Sequence, residues 1–177
     1  VAFLFYLGIS FGGISFGTPI DISSNPGIEG LGSFTGSVVY SFVNDTQGQL
    51  TIELTNTSSD DSGYITGLAF LFPEDSIDVS SVTSDNTNFT DELEFPVSAR
   101  PFEDYDSGIT TKGSWLGGGT PKTGIAGGDT AKFYFNLTGT GLSSLGATDF
   151  ASNDNFLAVR FRGFESGAGS DKVTGGG

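Results

Sequence analysis

Along this chain large apolar residues recur at every second position. In the opening segment the odd positions Val1, Phe3, Phe5, Leu7, Ile9 and Phe11 are all bulky, while Gly8, Ser10 and Gly12 occupy even positions between them. A period of two predicts an extended strand with one bulky face. The same period predicts strands over Phe34–Val43, Gln49–Asn56, Ile77–Thr83, Thr130–Thr138 and Phe156–Phe164. In Gln49–Asn56 the residues Leu50, Ile52 and Leu54 face inward and Thr51, Glu53 and Thr55 outward. Phe133, Phe135 and Leu137 form the inner set of the next, and Leu157, Val159 and Phe161 that of the last, which sends Arg160 and Arg162 outward to pair with surface acids. Tyr64–Phe72 is apolar on both faces, which predicts a central strand.

Between Asn86 and Gly128 the pattern breaks into isolated anchors, Phe89, Leu93, Phe95, Phe102, Trp115 and Leu116, and predicts long loops with one or two irregular strands. Ser143–Phe150 reads as a single helical turn, and the Gly/Ser-rich stretch after Gly163 as a linker. The expectation is an all-β chain, an antiparallel sandwich or jelly roll with an N-terminal extended apolar strand. Residues 1–17 form the apolar head, 18–165 the β domain and 166–177 a tail.

The head carries no charge, so it must be cleaved, enter a membrane or bury its face in protein. It is shorter than the roughly 20 apolar residues of a membrane helix, and Gly12–Gly13 weakens any helix there. A secretory signal has a comparable apolar core, but also a basic start and a small-residue cleavage site, and neither stands before Thr18. As a donor strand the head would complete the sheet of a neighbouring copy through Val1, Phe3, Phe5, Leu7, Ile9 and Phe11, with Ile14 and Phe16 as the next bulky pair. Burying such side chains at about 1.5–3 kcal/mol each would hold copies together head to tail, and therefore as a filament. Donor strand and signal remnant both stay open at this level.

Composition narrows the function. The chain has 17 Phe and 28 Gly but neither Cys nor His, which removes disulfides, thiolate metal sites and the commonest general base. A net charge of −14, with no basic residue before Arg100, argues against nucleic acid as a partner. Gly8–Gly12 and Gly13–Gly17 both match the G-x-S-x-G string, yet a nucleophilic serine needs a base that this chain lacks, so no enzyme is expected.

Acidic clusters occur at Asp60–Asp61, at Glu103–Asp106 and at Asp149 with Asp154. Asp104-x-Asp106-x-Gly108 is half of a calcium-loop pattern, so Asp104 and Asp106 are either Ca²⁺ ligands or solvated loop charge. Trp115, with Tyr105, is either a sugar-stacking platform or a core anchor under a long loop. The N-x-[ST] strings at Asn44, Asn56, Asn88 and Asn136 matter only in a host that glycosylates.

Several segments occur together in a known group. These are Leu50–Ser58 (LTIELTNTS), Gly63–Phe70 (GYITGLAF), Trp115–Gly119 (WLGGG) with Gly124–Ala126 (GIA), Val159–Phe164 (VRFRGF) and Gly169–Val173 (GSDKV). With them the chain from about Thr18 to Val173 resembles exported bacterial surface proteins of the PEP-CTERM type. The resemblance implies export, an all-β domain and no established catalytic role, and it supplies no functional residues. The Pro-Glu-Pro sorting signal of that group is expected after Val173 and does not occur by Gly177. The expected function is an extracellular structural subunit that assembles with itself through the donated head. The alternative is a monomeric surface-attached module that binds calcium or carbohydrate between Phe102 and Leu116.

Overall fold

The computed structural model describes residues 15–59, 63–117, 120–165 and 169–177. The head positions Val1, Phe3, Phe5, Leu7, Ile9, Phe11 and Ile14, and the acidic pair Asp60–Asp61, lie outside the described residues. The chain is all-β and antiparallel. Its strands are β1 (Ser15–Phe16), β2 (Ile20–Ser24), β3 (Phe34–Asn44), β4 (Gln47–Asn56), β5 (Tyr64–Phe70), β6 (Asp78–Ser84), β7 (Asp91–Ser98), β8 (Asp104–Thr110), β9 (Thr130–Thr138), β10 (Leu157–Arg162) and β11 (Ser170–Gly176). Two 3₁₀ turns, Pro121–Thr123 and Leu142–Ser144, and one short helix, α1 (Ala147–Ala151), complete it.

These strands form one continuous sheet, in the order β6-β9-β4-β3-β2-β11-β10-β5-β8-β7, with β1 added beside β3. The sheet curls until it is nearly a barrel, so its two halves face each other without being separate sheets. The inward positions of the alternating strands fill its interior: Leu50, Ile52 and Leu54 from β4, Phe133, Phe135 and Leu137 from β9, and Leu157, Val159 and Phe161 from β10 are all buried. Aromatic rings knit opposite walls together. Phe70 meets Phe135 edge-on at 4.6 Å and Phe89 meets Phe133 at 4.9 Å, the geometry that ring quadrupoles prefer. The outward positions pair across strands, as in the Lys132–Glu53 ion pair at 3.0 Å.

Strand β5 is central, between β10 and β8. Ile65, Leu68 and Phe70 join the interior, whereas Ala69 turns to a second cluster on the outer face. That cluster unites Ala69, Leu93, Val97, Ala99, Tyr105, Trp115 and Ala158.

Three expectations change. The stretch expected as a linker contains β11, which lies between β10 and β2 inside the sheet. Its glycines mark close packing: a Cβ on Gly175 would lie 2.3 Å from the Ser23 carbonyl oxygen, and one on Gly176 2.1 Å from that of Asn153. Glycine there removes bulk where another backbone passes. Second, residues 91–98 and 104–110 pair as two strands where long loops with one or two irregular strands were expected, and the break in periodicity coincides with a bulge in β7 between Glu94 and Val97. Third, Phe16 belongs to β1 and pairs with Ser41 of its own chain, and the Gly17 N–H bonds the Tyr40 carbonyl at 3.0 Å. Phe16 is therefore held in cis and drops out of the expected donor face.

Candidate functional site

The segments quoted for the family resemblance converge on loop anchoring. Asn56, at the end of β4, is buried; its Nδ2 donates to the carbonyls of Gly63 and Ile125 at 2.9 and 3.0 Å, while Oδ1 accepts from the Ser58 N–H. Ile125 in turn exchanges backbone bonds with Ile65 of β5. One amide thus ties three segments together. It is satisfied internally and buried, so the N-x-[ST] string at Asn56 marks a core position.

Asp171 of β11 does the same work with a charge. The carboxylate, 1% exposed, accepts from the backbone N–H groups of Glu29, Leu31, Gly32 and Lys172 at 2.7–3.0 Å. Burial pushes its pKa up, but these four bonds outweigh burial and hold it below the usual carboxylate range. Gly27 is required beside it, because a Cβ there would stand 2.3 Å from Oδ2.

Arg160 departs from the expectation of a surface ion pair. It lies on the outer face of β10, and its Nη1 donates to the carbonyls of Trp115 and Gly117 at 2.6 and 2.8 Å, with Nη2 reaching Leu116 at 3.4 Å. The guanidinium, half buried, replaces water for three carbonyls of one loop. Burial, helped by neighbouring Arg162, lowers its pKa to about 10, so it remains charged at neutral pH. The Nε of Arg160 and the Nε1 of Trp115 are buried and find no hydrogen-bond partner among the described residues.

Trp115 itself is 3% exposed, and Tyr105 is fully buried with its hydroxyl bonded to the Asn155 carbonyl at 3.0 Å. Burial raises the Tyr105 pKa well above the ordinary tyrosine value, with Glu103 adding to the effect. Neither ring offers a face to solvent, so both are core anchors and not a stacking platform.

Asp104 and Asp106 lie on β8, where the expectation placed them in a loop. Asp104 is exposed, whereas Asp106 accepts from the Phe72 N–H at 2.6 Å. Gly108 fits its position because a Cβ would stand 2.3 Å from the Leu68 carbonyl oxygen. A D-x-D-x-G string is here a strand pattern. Among the described residues no group of three or more His, Cys, Asp or Glu is arranged to hold a metal.

One open cleft of about 580 Å³ lies over β2, β3 and β4, between Pro19, Ser37 and Thr55, and three others lie where the sheet ends. A groove of about 720 Å³ runs along β7, lined by Thr90–Glu94, Pro96–Ser98 and Gly113–Leu116. Beyond it, β6 and β7 face each other across two clefts. One of about 340 Å³ is lined by Asp78 and Val79 from β6 and Glu92–Phe95 from β7. The other, of about 560 Å³, is lined by Phe72, Ile77, Asp78 and Phe95 among others. Phe95 is 71% exposed at this seam. Burial, then the charges of Glu94 and Asp78, raises the Glu92 pKa. Periodicity could not reveal the seam, because it depends on which strands end the sheet.

Comparisons with protein-family models, curated proteins and solved structures find no match to this chain.

Proposed function

We propose that this chain is a structural subunit of an extracellular filament or surface matrix. Neighbouring copies join when the apolar head of one adds as a strand to the sheet of the next. The reading follows from the resemblance to exported PEP-CTERM-type surface proteins together with the head's alternation. The observation that carries it is the incomplete sheet: ten strands curl nearly into a barrel, yet the path ends on β6 and β7 without joining them. A sheet edge is a template for strand addition.

The test replaces Phe3, Phe5, Leu7 and Ile9 by Thr in the full chain. Light scattering on the purified proteins is expected to find large assemblies for the parent and monomers for the variant, with the same far-UV circular dichroism. Equal assembly by both proteins would refute strand donation. A parent that stays monomeric but takes up Ca²⁺ or glycans would favour the binding module.

A further inference from the structure

We infer that the acceptor site for the head of a second copy is the seam between β6 and β7, with the free edge of β7 as its template. This rests on the strand-donation reading above.

Three observations select the seam. First, its two sides are the two ends of the sheet path, and they already face each other across shared clefts. One added strand there would find backbone partners at hand and apolar side chains to cover, namely the half-buried Phe72 and Val79 and the exposed Phe95. Second, the seam is acidic. Asp78, Glu92, Glu94 and Asp106 line one cleft, and Asp75 adds to the other. These carboxylates oppose direct pairing of β6 with β7, and they reject an acidic segment from a chain whose net charge is −14. The head has no charged residue before Asp21, so it brings no like charge to these carboxylates.

Third, length fits a neighbour. The 14 residues before Ser15 would extend about 46 Å at about 3.3 Å each. The 8 residues of β7 need about 26 Å, which leaves several to cross between copies. Ser15 itself pairs with Phe42, beside the β3–β4 hairpin.

The chain has no Cys, so the contact can be mapped by disulfide trapping. Full-length Leu7→Cys is mixed with full-length Glu94→Cys and oxidised, with Phe5→Cys and Glu92→Cys as a second pair to allow for register. Thr51→Cys, on the outer face of β4, is the control acceptor. The expected result is a linked dimer at least ten-fold more abundant for a seam pair than for the control. Assemblies that form without a seam link in either pair would overturn the seam as acceptor and leave strand donation standing. Links found only within one chain, in a diluted Leu7→Cys/Glu94→Cys double variant, would overturn the second copy as donor. Failure to assemble at all would overturn both.

Discussion

At Asp171 a buried carboxylate stabilises the sheet only while it stays ionised, because four backbone N–H groups point at it. Its folded-state pKa is depressed, so its contribution is present above the unfolded value of about 3.9 and is lost as pH falls through the folded value. Asp171→Ala would leave those donors buried and unpaired, at a cost of about 2–4 kcal/mol. Thermal unfolding followed from pH 6 to pH 2 is expected to show a shallower acid-induced loss for Asp171→Ala, from a lower starting point. Unchanged melting at pH 6 would count against the clamp. Arg160 allows an optical test, since Trp115 is the one tryptophan of the chain and lies within the loop that Arg160 holds. A lysine cannot reproduce a planar fork across three carbonyls. Arg160→Lys is expected to shift Trp115 emission to the red and to cost about 1.5–3 kcal/mol in urea unfolding. Emission identical to the parent would show that the loop does not depend on the fork.

Periodicity is legible in the longer strands with one buried face, Thr130–Thr138 to the residue and β4 within two residues, although the five-residue β2 is too short to show it. It failed where two other demands compete with it. In β11 glycines answer to crossing backbones, so a packed inner strand reads as a flexible tail. In β7 the exposed Phe95, at the bulge between Glu94 and Val97, separates the buried Leu93 from the buried Val97, so the strand reads as scattered anchors. The anchoring roles of Asn56, Asp171 and Arg160 were invisible for a related reason, since their partners lie in distant segments. Two substitutions test the element-scale account. Gly175→Ala would press a methyl group against the Ser23 carbonyl and the Phe34 ring, and is expected to cost about 1–3 kcal/mol by denaturant titration. Glu92→Gln removes a like charge from the β6–β7 seam and is expected to stabilise by a few tenths to about 1 kcal/mol at neutral pH. The raised pKa of Glu92 means that its protonated form favours the fold, so the stabilisation of the parent is fully present below the unfolded value of about 4.3 and lost as pH rises through the folded one. The advantage of the Gln variant should therefore vanish on acidification. An advantage that persists below pH 4 would mean the seam charges are not its cause.

For the whole molecule, the central feature is a sheet that stops one junction short of a barrel, in a chain whose first residues have the sequence pattern of a strand. The interior is filled by its own side chains, and the outer cluster around Trp115 is closed by the Arg160-bound loop. The β6–β7 seam is open and lined by Asp78, Glu92, Glu94 and Asp106. In the proposed assembly this seam would receive an uncharged strand from a second copy. Salt should favour this association, because screening weakens the repulsion between copies of net charge −14 and leaves the burial of an apolar head in force. The most direct test is electron cryo-microscopy of the assembled full-length protein. The account predicts a filament in which residues 1–14 run as an extra strand along β7 of the adjacent subunit. A filament in which that segment folds back onto its own subunit, or in which β7 is bare, would contradict it.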